Sequence, residues 1–175
     1  MGLSYNQSLL LLFLLLAALA DLKTDHIPNG FIAIGIATGL TGSCLYGPGL
    51  FHSAVSMFLA FLLLYPLFQI GAMGAGDSKT LIMAGSFLKV QEFLIILAAA
   101  FVIGAVFSLF KLAAERNGRQ RLFYLGTYVV ETAKNRRFKL YGEELVQDQE
   151  LYRSNKIHFT VPILFGAALR IGGLI

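Results

Sequence analysis

Apolar stretches of about 20 residues with almost no charged side chain recur along this sequence of 175 residues. An α-helix of that length is needed to cross the hydrocarbon core of a membrane, where each backbone N–H and C=O group must find its partner within the helix. The chain is 57% hydrophobic and 14% charged, whereas ordinary soluble domains are roughly 25% charged. The sequence therefore predicts an all-α integral membrane protein and excludes an ordinary soluble domain.

We predict a single membrane domain, residues 1–175, built as a polytopic bundle of about six transmembrane helices. The predicted spans cover residues 4–22, 29–46, 51–70, 77–89, 93–112 and 157–174. The fourth span is short, because about 12 residues from Asp77 to Lys89 rise only about 18 Å against a hydrocarbon core of about 30 Å. Its first residue therefore lies below the membrane surface.

Three local features are predicted for the second span: a cap at its start, a turn after its end and a pair of glycines within it. Asn29 is expected to cap its first turn, and the Gly-Pro-Gly sequence at residues 47–49 is expected to form a tight turn after its end. Gly35 and Gly39 have the spacing of small residues that lets a neighbouring helix approach closely. The alternative for these two glycines is an ordinary flexible, glycine-rich helix.

The distribution of Lys and Arg predicts the orientation of the chain. Lys23, Lys79 and the ten basic residues between positions 111 and 156 lie on one side of the predicted spans, and two others lie near the opposite side. By the positive-inside rule the first side is cytoplasmic. This places the amino terminus outside the cytoplasmic (inner) membrane and places Asp21 and Asp77 at its cytoplasmic face.

Residues 113–156 form the longest polar stretch of the sequence. Apolar residues recur there every three or four positions between basic ones, which predicts a cytoplasmic loop with an amphipathic helix lying on anionic lipid. Nucleic-acid binding is the weaker alternative, and we predict no nucleic-acid partner. The acidic run from Glu143 to Glu150 could receive a basic peptide, and a solvated surface without a partner is its alternative.

Two carboxylates stand at the ends of apolar spans: Asp21 ends the first, and Asp77 follows the sequence Gly74-Ala75-Gly76 before the fourth. An ionisable residue at membrane depth is costly, so its default interpretation is functional. Two carboxyl groups that share one proton can hydrolyse a peptide, because the ionised one activates water while the protonated one polarises the carbonyl. We predict such a catalytic pair. The alternatives are a transporter whose acids bind ions and an assembly subunit whose acids bind basic partners.

No metal site and no cofactor are predicted. Cys44 is the single cysteine, and the three histidines His26, His52 and His158 show no metal-ligand spacing. We interpret these side chains as packing or solvated groups.

Residues 21–29, Asp-Leu-Lys-Thr-Asp-His-Ile-Pro-Asn, resemble the acidic helix end followed by Ile-Pro-Asn of type IV prepilin peptidases. Gly74 to Asp77, followed by Lys79, resembles the Gly-x-Gly-Asp (GxGD) motif of the same family, and the resemblance covers most of residues 10–110. It implies a membrane aspartyl endopeptidase that removes the short basic leader of prepilins or pseudopilins. The implied partners are that substrate, the lipid bilayer and the pilus-assembly or secretion machinery.

The resemblance also implies roles for individual residues. Asp21 and the aspartate of the GxGD motif would be the catalytic pair, with Asp25 as the alternative first acid because it lies one helical turn further along. Gly74 and Gly76 would let an extended substrate backbone approach the acids. Lys79 would orient substrate or tune the second acid, unless it is an ordinary lysine at the inner face.

The resemblance is to the compact, peptidase-only members of the family, which include the preflagellin peptidases. Longer bifunctional members carry a cytoplasmic region with paired cysteines and also methylate the mature pilin. This sequence has one cysteine. We therefore expect leader removal without methyl transfer.

Overall fold

A computed structural model describes residues 4–70, 72–114 and 158–175. In these ranges six helices follow one another: α1 (Tyr5–Thr24), α2 (Asn29–Tyr46), α3 (Leu50–Gln69), α4 (Ala75–Gly85), α5 (Val90–Ala114) and α6 (Thr160–Ile171). The described residues contain no β-strand. The predicted all-α class is therefore confirmed.

The chain divides into two units. The first comprises Met1–Gly104 and His158–Ile175, and the second comprises Ala105–Ile157. Of the second unit the structure describes residues 105–114, which are the last part of α5. The predicted interfacial helix and the acidic run therefore lie outside the described residues.

Three helices in the described part of the chain are long and apolar enough to cross a membrane: Tyr5–Thr24, Leu50–Gln69 and Val90–Lys111. Two of the others are shorter, since α4 has 11 residues and α6 has 12. At about 1.5 Å per residue α4 is about 16 Å long. It is short, as predicted, and it begins directly after Gly74, two residues earlier than expected. That all six helices cross the membrane completely stays a prediction.

Helix α4 forms the centre of the first unit, where α1, α2, α3 and α6 all contact it. Most of its side chains are buried, and the buried apolar ones join a core with residues of α1 and α6. A helix that buries most of its side chains among four neighbouring helices is a core element. The outer helices instead expose large apolar side chains, such as Phe51 and Phe58 of α3, which is the pattern expected of a surface that lipid covers.

Glycines allow the neighbouring helices to lie close to α4. A Cβ atom added to Gly35 would lie 2.8 Å from Met83 Cγ, and one added to Gly39 would lie 2.8 Å from Phe87 Cδ2. Gly85 of α4 lies similarly against the backbone of α3. The close-approach interpretation of the two α2 glycines is therefore confirmed: Gly35 lies against α4, and Gly39 lies against the turn that follows α4.

A buried polar network completes the carboxyl end of α4. Carbonyls in the turn that follows a helix need partners from outside the helix, and leaving one buried and unpaired costs about 1–3 kcal/mol. Three side chains, one each from α1, α2 and α3, donate hydrogen bonds to carbonyls just beyond α4: Asn6 Nδ2 to Phe87 O (2.7 Å), Ser43 Oγ to Ser86 O (2.8 Å) and Ser56 Oγ to Leu88 O (2.8 Å). The network lets a short helix end inside the bundle.

The predicted cap at Asn29 is wrong, because Pro28 is the N-cap residue of α2 and the structure shows no side-chain hydrogen bond there. The Asn29 Oδ1 atom accepts a hydrogen bond from Lys79 Nζ at 2.8 Å instead. The predicted turn before α3 is confirmed. Its Gly49 has φ 93° and donates a backbone hydrogen bond to Ser43 O.

Candidate active site

The end of α1 and the beginning of α4 lie at the same end of the bundle. Asn6, near the start of α1, meets Phe87, just beyond the end of α4, so the two helices run in opposite directions. At their other ends, Ile27 lies after α1, and its Cδ1 atom is 3.6 Å from a Cβ position built on Gly76 in α4. We call the end that carries Asp21 and the start of α4 the acidic end.

Asp21 is buried near the end of α1, with 6% of its surface exposed. Its Oδ2 atom accepts a hydrogen bond of 2.8 Å from Thr160 Oγ1. The Nδ1 atom of His158 lies 3.1 Å from the same oxygen, and the two atoms do not form a hydrogen bond. Asp21 therefore contacts the start of α6 through one hydrogen bond from Thr160 and one close polar contact with His158, which precedes the helix by two residues.

Asp25 follows α1 as its C-cap residue and has a left-handed backbone, with φ 54°. Aspartate is among the few residues other than glycine that adopt this conformation readily. Its side chain is 51% exposed, against 8% for the side chain of Asp21. His158 Nε2 lies 3.8 Å from Asp25 Oδ1. The imidazole thus lies between the buried and the exposed carboxylate.

Asp77 is the third residue of α4, and Gly74 is the N-cap residue. The Asp77 side chain lies over Gly74, because a Cβ atom built on that glycine would be 3.1 Å from Asp77 Oδ2. The side chain is partly buried. The positive end of the helix dipole favours a carboxylate in this first turn.

Lys79 is exposed, and its ammonium group donates the hydrogen bond to Asn29 that joins α4 to α2. Gly76 has room for a methyl group, since the nearest atom to its built Cβ position is an Ile27 carbon at 3.6 Å. Every site residue predicted from the sequence therefore lies at the acidic end. Their predicted roles in binding and catalysis stay predictions.

The sequence motifs do not point to His158 and Thr160, which the structure brings to Asp21. The sequence alone favours a packing or solvated role for His158. A signal was available, because both residues stand where the last predicted span begins, and the count of spans places that point on the same side as Asp21. Among the described residues, no group of His, Cys, Asp and Glu side chains is arranged to hold a metal ion.

The described part of the chain is thus an apolar helical bundle with a buried aspartate and a second aspartate in a first helical turn at one end. Paired carboxyl groups are one of the arrangements with which proteases hydrolyse peptide bonds. Residues 8–109, more than half of the chain, match the type IV leader peptidase family. The chain belongs to this family, as its sequence motifs predicted, and it is a membrane protein of the peptidase class. Comparisons with curated proteins and with solved structures give no match.

Proposed function

We propose that this chain is a membrane-embedded aspartyl endopeptidase that removes the short basic leader from type IV prepilins or pseudopilins at the cytoplasmic face of the membrane. The observation that carries the proposal is the buried Asp21 at the same end of the bundle as the Gly-x-Gly-Asp start of α4. Membership of the leader peptidase family supports the same substrate class.

Asp21 and Asp77 are the proposed catalytic pair. One carboxylate takes a proton from water, and the water oxygen then forms a bond to the scissile carbonyl carbon while the protonated partner donates a hydrogen bond to the carbonyl oxygen. The C–N bond breaks when the leaving amine takes a proton from the first carboxyl group. These reaction steps return both carboxyl groups to the protonation states in which they began.

The shortness of α4 supports access for the substrate. Helix α1 has 20 residues and α4 has 11, a difference of about 14 Å at about 1.5 Å per residue. Gly74 and Ala75 at the start of α4 are exposed. We propose that the substrate unwinds locally at the membrane edge and that its extended backbone approaches the acids over these residues.

Cleavage of a purified prepilin with an intact leader tests the proposal. The wild-type chain in lipid vesicles should cut it, and Asp21→Asn and Asp77→Asn should each lower kcat by about 10²- to 10⁴-fold, because each removes one member of the acid–base pair. Asp25→Asn tests the alternative acid and should lower kcat by less than about tenfold.

Glu92→Gln is the matched control, since it neutralises a partly buried carboxylate at the start of α5, away from the acidic end. It should leave kcat unchanged. A wild-type chain that leaves the substrate uncut at every pH would refute the protease proposal and favour an ion-binding or assembly role. An Asp77→Asn variant that cuts like the wild type would refute the proposal that Asp21 and Asp77 form the catalytic pair.

A further inference from the structure

Two polar side chains at the start of α6, one in its first turn and one just before the helix, lie near one oxygen of Asp21. Thr160 Oγ1 lies 2.8 Å from Asp21 Oδ2, and His158 Nδ1 lies 3.1 Å from it. Thr160 is fully buried, and a hydrogen bond from a hydroxyl to a carboxylate is stronger than one between neutral groups. The family match ends at residue 109, so these two residues lie outside the matched range.

His158 has a carboxylate at each ring nitrogen. Nδ1 lies near Asp21, and Nε2 lies 3.8 Å from Asp25 Oδ1. Side-chain exposure rises along this series, from 8% for Asp21 through 23% for His158 to 51% for Asp25. The exposed carboxylate is therefore placed to orient the ring, and the ring is placed to act on the buried carboxylate.

We propose that Thr160 and His158 are positioning residues for Asp21, and that Asp25 orients the imidazole. The inference rests on the proposed function, in which Asp21 is catalytic. A carboxyl group can rotate about its Cβ–Cγ bond, and two contacts to Oδ2, one from Thr160 and one from His158 just before α6, limit that rotation. Asp21 Oδ1 is then presented to water and substrate in a single orientation. Helix α6, which begins 139 residues after Asp21, becomes part of the active site.

The Thr160 hydroxyl can be tested with two variants of similar size. Thr160→Val removes the donor and keeps the branched shape, whereas Thr160→Ser keeps the donor and loses a methyl group. We expect kcat to fall about ten- to a hundredfold in the valine variant, as for the loss of a hydrogen bond to a charged group. We expect KM to change little and the serine variant to recover most of the activity.

The His158 contact can be tested by moving the side-chain nitrogen that lies near Asp21. In His158→Asn the amide nitrogen falls near the position of imidazole Nδ1, facing Asp21. In His158→Gln it falls near the position of Nε2, facing Asp25. We therefore expect the asparagine variant to retain a higher kcat than the glutamine variant, at similar KM.

All four variants are assayed in lipid vesicles with the purified prepilin as substrate. Thermal unfolding of each variant is measured beside the kinetics. A wild-type chain that leaves this substrate uncut overturns the proposed function itself. A wild type that cuts, together with a Thr160→Val variant of unchanged kcat, overturns the positioning role alone. Equal losses of kcat in the valine and serine variants, or in the two His158 variants, also overturn it, because neither the Thr160 donor nor the position of the His158 nitrogen would then matter.

Discussion

Replacing Gly74 with alanine tests the placement of the second aspartate with a single methyl group. Gly74 has φ −69° and ψ 151°, an extended conformation that any residue adopts, so alanine adds no backbone strain. The new Cβ atom would lie 3.1 Å from Asp77 Oδ2 and 3.9 Å from Asp77 Cγ. The carboxyl group must therefore move by a few tenths of an ångström to restore ordinary contact.

The expected loss of activity follows from the size of that movement. A misplacement of about 1 Å near the reacting groups can cost about a hundredfold in rate, so a few tenths of an ångström should lower kcat by about three- to tenfold. The free energy of unfolding should change by less than about 1 kcal/mol, because alanine is a poorer N-cap residue but also restricts the unfolded chain. We expect a stable protein that cuts slowly.

Gly76→Ala is the matched control two residues away. Its Cβ atom would lie 3.6 Å from Ile27 Cδ1, which is ordinary van der Waals contact. Gly76 lies within α4, where alanine is favoured over glycine by roughly 1 kcal/mol. We expect this variant to be at least as stable as the wild type and to keep its kcat. A rise in KM confined to it would indicate that the substrate backbone passes close to Gly76.

The assay is leader cleavage by purified variants in lipid vesicles, with kcat and KM taken from initial rates over a range of prepilin concentrations. Thermal unfolding of the same samples gives Tm. A Gly74→Ala variant with wild-type kcat would contradict the reasoning, because it would mean that the position of the Asp77 carboxyl group over Gly74 does not matter for cleavage. A Gly76→Ala variant that loses as much kcat would also contradict it.

Two further predictions concern contacts away from the carboxyl groups. Asn6→Leu should lower the free energy of unfolding by about 1–3 kcal/mol, because it leaves the buried Phe87 carbonyl without its donor; a denaturant titration that matches the wild type would show that the network adds no stability. Lys79→Met should lower the free energy of unfolding by less than about 1 kcal/mol, because its hydrogen bond to Asn29 is exposed. A kcat reduced more than tenfold in folded Lys79→Met would contradict a purely structural role for this lysine.

Features that depend on neighbouring residues could be predicted from the sequence. The apolar stretches predicted the helices, because a span in hydrocarbon must pair its backbone internally. The short fourth helix followed from its own length between Asp77 and Lys89. The glycines at 35 and 39 predicted a close approach, although their spacing could not identify α4 as the partner.

Features that depend on distant residues could not be predicted in the same way. Asn29 has the side chain of a good helix cap, but the fold brings Lys79, 50 residues away, within hydrogen-bond distance of it. Thr160 reaches Asp21 only because α6 packs against α1. Neither contact can be read from the order of residues, so the local motifs indicated the two acids but could not indicate the residues that contact Asp21.

The polar network beyond α4 has a consequence for the tolerance of this helix to changes in length. Donors from three helices hold its carboxyl end, so α4 can neither slide along its axis nor turn about it without breaking buried hydrogen bonds. Gly85 lies eight positions after Asp77, a rise of about 12 Å along the helix. One inserted residue between them would displace Asp77 by about 1.5 Å and rotate it by about 100°. The length of α4 therefore sets the distance between Asp77 and the opposite end of the bundle, where the polar network lies.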